Sequence, residues 1–224
     1  MDSPTVVFDL DGTLVDTAPD LVATLNAILA REGLQPIAYD AARNMVGGGA
    51  RLMIERGLAA EGRSLPGSEI ERLFGAFIEH YSLHIADHSR PFPGLEAALD
   101  ELAMGGCRFV VCTNKLEGLS RQLLEALGLA GRFAAICGAD THGLQKPNPE
   151  PLWRTLAQVG GRRDRAVMVG DSATDIDAAR SAGIPVVAVD FGYTPIPVHE
   201  LRPDRIISAL QDLPKAVFDL LRAG

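Results

Sequence analysis

Short apolar runs recur along the chain, and helical patterns fall between most of them. Val6 to Leu10, Phe109 to Thr113, Phe133 to Cys137, Ala166 to Gly170 and Val186 to Asp190 are each nearly continuous in apolar residues, and a weaker run lies near Arg205 to Ser208. Continuous runs of this length, without polar alternation, belong to strands covered on both faces. Leu95, Leu99 and Leu102 mark one intervening helical face, and Leu119, Leu123, Leu124 and Leu127 a second. Pro151 to Val159 and Thr174 to Ala182 supply two more. Strands alternating with helices predict an α/β fold, a Rossmann-like doubly wound parallel sheet with helices on both faces.

The interval between the first two strands breaks this rhythm. Leu21, Leu25, Ile28 and Leu29 share one helical face, with Thr17 placed as N-cap and Asp20 in the capping-box position. Arg51 to Leu58 reads as a short helix, and Ile70, Leu73, Phe74, Phe77, Ile78 and Tyr81 form the strongest apolar stripe in the chain. His80, His84 and His88 follow at spacings of four and read as surface residues on one helix face. A simple crossover between parallel strands needs only about a dozen residues. Residues 17–88 are therefore expected to form a helical cap inserted into an α/β core made of residues 1–16 and 89–224. The return linker, His88 to Gly94, is stiffened by Pro91 and Pro93.

The polar residues that end the strands carry the chemistry, because open parallel sheets bind ligands beyond the carboxyl ends of their strands. The first strand ends in Asp9 and Asp11, the second in Thr113 and Asn114. Lys146 lies in "LQKPNPEP" after the third, and Asp171, Ser172 and Asp175 lie in "GDSATDIDAA" after the fourth. Two acids one residue apart repel each other unless something positive sits between them. Converging carboxylates suit a hard cation with oxygen ligands, and magnesium is the natural choice. Thr113, the main chain of Asn114 and Lys146 are donors and suit an anion. A metal, an anion site and a free carboxylate together describe phosphoryl transfer, with an aspartyl-phosphate where the carboxylate is the nucleophile. Gly12 permits a sharp turn after Asp11, Thr13 can cap that turn, and Ser172 can cap the helix that follows it.

Composition narrows the partners. The chain has 224 residues, 47% apolar and 22% charged, with a net charge of −8 and no basic stripe. Nucleic acid and anionic membranes are thereby disfavoured as main partners, whereas a small anionic metabolite needs only a few local cations. Cys107, Cys112 and Cys137 are odd in number and form no CxxC pair, so they read as reduced core cysteines of a cytoplasmic protein. The first residues do not read as a signal peptide, and no apolar run is long enough to span a membrane.

Taken in order, "DLDGTLVDT", "VVCTNK", "QKPNPEP" and "GDSATDIDAA" resemble the four motifs of the haloacid dehalogenase superfamily, in its phosphatase branch. The resemblance covers essentially the whole chain, and the insert matches that superfamily's helical cap. Within the cap, "MVGGGARLMIERGL" is similar to the phosphoglycolate phosphatases. The resemblance implies that Asp9 is the nucleophile and that Asp11 is the acid for the leaving group and then the base for water. It implies magnesium on Asp9, the Asp11 backbone carbonyl and Asp171, and Thr113, Asn114 and Lys146 on the phosphoryl oxygens. Asp175 is expected to orient a metal-bound water or Lys146 from behind. Gly47 to Gly49 read either as a turn between cap helices or as backbone donors, with Gly48, Gly49 and Arg51 holding an anionic group such as the carboxylate of 2-phosphoglycolate. A phosphosugar mutase shares this covalent chemistry and differs in its cap contacts. A phosphonate hydrolase needs a cap lysine, and Lys115, Lys146 and Lys215 all lie outside the cap. A phosphorylated receiver domain also uses Asp, Thr and Lys, but without a long helical insert.

Overall fold

The computed structural model describes residues 3–223. In chain order its strands are β1 (Thr5–Phe8), β2 (Val15–Asp16), β3 (Arg90–Pro91), β4 (Arg108–Cys112), β5 (Ala135–Cys137), β6 (Ala166–Gly170), β7 (Val186–Val189) and β8 (Arg205–Ile207). Its helices are α1 (Ala18–Arg31), α2 (Tyr39–Arg43), α3 (Ala50–Ala60), α4 (Gly67–Leu83), α5 (Leu95–Met104), α6 (Glu117–Ala126), α7 (Glu150–Gln158), α8 (Ala173–Ala182) and α9 (Leu213–Ala223).

Six strands form a parallel sheet in the order β5-β4-β1-β6-β7-β8, so the predicted sheet is present. β1 lies between β4 and β6, with Phe8 opposite Val111 on one side and Val169 on the other. This register brings the residues just past β1, β4 and β6 out at one edge. They are Asp9, Thr113 and Asp171. β1 ends two residues earlier than the apolar run predicts. The Asp9 N–H still donates to the Val169 carbonyl (2.9 Å), but the Leu10 carbonyl accepts from Leu14 (3.0 Å) and Val15 (3.1 Å), closing a turn. Leu10 is fully buried there, so its apolarity reflects packing beneath the turn and not strand pairing.

Alternation along β1 splits the core into two layers. Val7, with Val110 and Met168, packs on Leu152, Leu156 and Ile176 from α7 and α8. Val6 and Phe8 face the other way, towards Leu99 of α5 and Val217 of α9. That second layer continues without a break through Leu10, Leu14, Leu21 and Leu25 to Phe77 and Tyr81. The all-helical segment α1–α4 thus shares one apolar cluster with the sheet.

The crossing between the two parts differs from expectation. Val15 and Asp16 pair antiparallel with Arg90 and Pro91, so the return linker is half of a two-stranded ribbon. Thr17 and Asp20 do not form a capping box. The Thr17 hydroxyl donates to Asp11 Oδ1 (2.7 Å). Asp20 Oδ2 accepts from the Ser89 N–H (2.7 Å) and the Ser89 hydroxyl (2.6 Å), and the His88 N–H also donates to this carboxylate. Buried donors on the returning strand outcompete the helix end for Asp20, since charge-assisted bonds out of water are the stronger ones. The histidines do not all lie on one helix, because α4 stops at Leu83; the His80 and His84 rings still sit 4.6 Å apart, and His88 lies beyond the helix end. His84 pairs with Asp87 (2.8 Å), and His80 Nδ1 meets the Thr24 hydroxyl (3.2 Å). No helix among the described residues is long and apolar enough to cross a membrane.

Candidate active site

Asp9 and Asp11 emerge from β1 either side of buried Leu10, and Gly12 then takes φ +83°. The glycine is required twice over. Its backbone is left-handed, and a Cβ at this position would lie 2.5 Å from Asp171 Oδ2. Gly192 presses on the other flank, where a Cβ would lie 2.2 Å from that of Asp171. Asp171 is fixed between these bare backbones by two donors. The Tyr193 N–H reaches Oδ2 (2.6 Å) and the Thr13 hydroxyl reaches Oδ1 (3.3 Å). Thr13 therefore spends its hydroxyl on Asp171 and not on the turn predicted for it. Tyr193 in turn donates its hydroxyl to Asp16 (2.5 Å) and accepts from the Ala18 N–H, joining this loop to the start of α1.

Lys146 is held beneath the strand ends with its side chain 2% exposed. Its ammonium lies 2.9 Å from Asp9 Oδ1 and 2.6 Å from Asp175 Oδ1. The Asn114 side chain clamps the Lys146 backbone, accepting from its N–H (2.9 Å) and donating to its carbonyl (3.0 Å). Any anion contact of Asn114 is thus left to its main chain. Asp175, at the start of α8, also accepts from the N–H and hydroxyl of Ser172, the N-cap residue, as predicted for Ser172. Of the two roles weighed for Asp175, the one made visible is its grip on Lys146.

Carboxyl oxygens of Asp9, Asp171 and Asp175 lie within 4.8 Å of one another. The crowding has electrostatic consequences. Burial pushes Asp9 up to about 6; Lys146 opposes the shift, while Asp175 and Asp11 add to it. Burial also raises Asp171 well above the ordinary carboxylate range, reinforced by Asp175 and Asp9 and opposed by the Tyr193 N–H. Burial alone would lower Lys146, but Asp175 and Asp9 outweigh it and hold the ammonium charged. An acidic oxygen set that resists ionisation in this way fits a hard divalent cation.

Above these groups opens a cavity of about 420 Å³ lined by both the sheet edge and the insert. Asp9, Asp11, Thr113 and Asn114 form its floor. Gly47, Gly48, Gly49 and Arg51 reach it from the insert, with Gly49 as the N-cap residue of α3. A Cβ on Gly49 would lie 3.4 Å from the Asn114 carbonyl, so the glycine loop rests against the β4 end. The Arg51 guanidinium is paired with Glu71 and lies 5.0 Å from the Phe74 ring centroid.

The sequence reading assigns no role to Lys115, Tyr81 or Tyr193. Lys115 places its ammonium 2.9 Å from both oxygens of Asp11 and 4.6 Å from the Tyr81 ring centroid. Its position directly after Thr113 and Asn114 was the available signal. Tyr81 is hidden in an apolar stripe, and Tyr193 lies in a loop without periodicity.

Residues 6–189 match the haloacid dehalogenase-like hydrolase family. A phosphoglycolate phosphatase of Caulobacter vibrioides is 49% identical over 221 residues, covering 99% of this chain and 93% of the relative. One from Mesorhizobium japonicum is 50% identical, covering 93% and 92%. The crystal structure of a predicted phosphoglycolate phosphatase from Haemophilus somnus superposes with a TM-score of 0.89 at 29% identity, covering 96% of this chain and 97% of that one. With motif order, sheet order and near full-length identity all in agreement, the chain belongs to the haloacid dehalogenase-like hydrolase family.

Proposed function

We propose that the protein is a magnesium-dependent phosphatase that hydrolyses 2-phosphoglycolate to glycolate and inorganic phosphate through an aspartyl-phosphate. The observation that carries this reading is the convergence of Asp9, Asp11 and Thr113 at the floor of a small cavity, with Lys146 buried 2.9 Å behind Asp9, in a chain about half identical to phosphoglycolate phosphatases. Asp9 attacks phosphorus, and the bond to the glycolate oxygen breaks as Asp11 supplies its proton. Asp11 then takes a proton from water, which attacks the aspartyl-phosphate and releases inorganic phosphate. Thr113, the Asn114 main chain and Lys146 hold the phosphoryl oxygens, and Asp175 aims Lys146. Asp9, Asp171 and the Asp11 carbonyl would hold the magnesium, which supplies positive charge against the carboxylates and the transferring phosphoryl group. Residues 17–88 act as a cap over a core of residues 1–16 and 89–224, shutting water out of the cavity. Gly48 and Gly49 offer N–H groups at the start of α3, and Arg51 stands close by. The three unpaired, buried cysteines favour a reducing, cytoplasmic setting.

Asp11→Asn is expected to lower kcat on 2-phosphoglycolate by about 10²- to 10⁴-fold while the aspartyl-phosphate can still form, the usual worth of acid–base help. Near-normal steady-state turnover in this variant would remove Asp11 from that role. The substrate is tested by kcat/KM across a panel of 2-phosphoglycolate, sugar phosphates, amino-sugar phosphates, nucleotides and pyrophosphate. 2-Phosphoglycolate is expected to lead. Another compound leading by tenfold would displace the substrate and leave the phosphatase chemistry standing.

A further inference from the structure

We propose that Lys115 and Tyr81 form the subsite that reads the carboxylate of the substrate. The inference rests on the phosphoglycolate reading above and assigns the recognition to a residue of the sheet edge meeting a residue of α4. Three observations lead there.

The first is chemical reach. In 2-phosphoglycolate the carboxylate carbon stands two bonds from the ester oxygen that receives the proton of Asp11. The cation that meets this carboxylate must therefore stand beside Asp11. Lys115 does so, at 2.9 Å from both Asp11 oxygens, with its side chain 5% exposed. An ammonium has three donors, so contact with Asp11 does not exhaust it.

The second is an unmatched group in the same wall. The Tyr81 hydroxyl is buried and has no hydrogen-bond partner among the described residues. Buried donors left without acceptors are rare in folded proteins, and each calls for an explanation. Tyr81 lines the cavity together with Lys115, and its ring faces the ammonium. A substrate carboxylate bound beside the ammonium from the cavity side would accept from Lys115 and from the Tyr81 hydroxyl.

The third concerns the competing cation. Arg51 also lines the cavity, but it is already paired with Glu71 and its side chain is 44% exposed. Its charge is neutralised and screened by water, where an ion pair gains little. The Lys115 charge acts in a drier place, where a charge-assisted bond is stronger.

The test compares 2-phosphoglycolate with ethyl phosphate, which keeps the ester and replaces the carboxylate by a methyl group. Lys115 also touches Asp11, so Lys115→Met lowers turnover of both compounds. The ratio of their kcat/KM values isolates the carboxylate. That ratio is expected to fall about a hundredfold in Lys115→Met, the scale of truncating one side of a buried charge pair. It is expected to fall about fivefold in Tyr81→Phe, to stay within about twofold in Arg51→Ala, and to recover in part in Lys115→Arg. Should the methionine variant not fold, Lys115→Gln takes its place with the same expectation. A preserved ratio in the Lys115 variant, with both rates lowered equally, would overturn the proposal and leave 2-phosphoglycolate as substrate. A ratio that collapses in Arg51→Ala instead would move recognition to the cap loop and also overturn it. A parent enzyme indifferent to the carboxylate would remove the substrate reading itself, and this proposal with it.

Discussion

Asp9→Asn is expected to abolish turnover, lowering kcat by at least about 10⁴-fold, because an amide cannot take over the nucleophile's part. No bystander can substitute. Asp11 is engaged by Lys115 and Thr17, and Asp175 by Lys146 and Ser172. The variant should still fold. Asp9 is a buried carboxylate already pushed up to about 6, so replacing it by a neutral amide relieves the crowd of charges around it. Its melting temperature in cation-free buffer is expected to be no lower than that of the parent. Acid quenching after a brief exposure to labelled substrate should trap phosphoenzyme in the parent and none in the variant. A well-folded Asp9→Asn protein with kcat within tenfold of the parent would take Asp9 out of the mechanism.

Removal of divalent cations should be nearly as severe. A chelator is expected to stop hydrolysis, magnesium to restore it, and calcium to restore it poorly, because its longer and looser coordination misplaces the reacting groups. Asp171→Ala should raise the magnesium concentration needed for half-maximal rate more than Asp175→Ala does, and equal titrations would count against Asp171 as a ligand. Stability offers a second measurement with a definite sign. Without a cation, Asp9 and Asp171 bind protons more readily in the folded chain than at the ordinary value of 3.8. Between that value and about 6 for Asp9, the folded state holds more protons than the unfolded one. These two groups therefore favour folding at the acid end of the window and oppose it as pH rises through their folded values. The magnesium-induced gain in Tm should be larger at pH 7.5, where Asp9 is ionised, than at pH 5, where a proton already occupies it. A gain that does not change with pH would contradict the assigned cluster.

The sheet and the strand-end residues were legible because each rests on a local signal. β1, β4 and β6 are continuous apolar runs, and the register of parallel strands carries Asp9, Thr113 and Asp171 to one edge wherever such runs pair. What was not legible depends on contacts between distant segments. Thr17 and Asp20 have the spacing of a capping box, yet Asp11 and Ser89 recruit them across the crossing. Tyr81 obeys the period of a core stripe, and only the tertiary fold reveals that its ring meets Lys115. Gly192 and Tyr193 sit in an irregular loop, and nothing within that loop announces that it walls in Asp171, 21 and 22 positions earlier in the chain. Periodicity reports which face of an element is buried, not which polar group waits on the far side.

The way the lysines are spent has a practical corollary for handling the protein. The chain has only three, and two of them, Lys115 and Lys146, have their amines enclosed at the sheet edge. Lys215, on α9, is the third, with its side chain 84% exposed and paired with Asp219. Amine-directed dyes, cross-linkers and resins should therefore find one side-chain target, on a helix packed behind the sheet and away from the cavity mouth. A tag coupled there would leave the cavity open. Slow modification at Lys115, whose amine meets Tyr81 of α4, followed by mass spectrometry with and without phosphate, would in turn report how often that amine is uncovered.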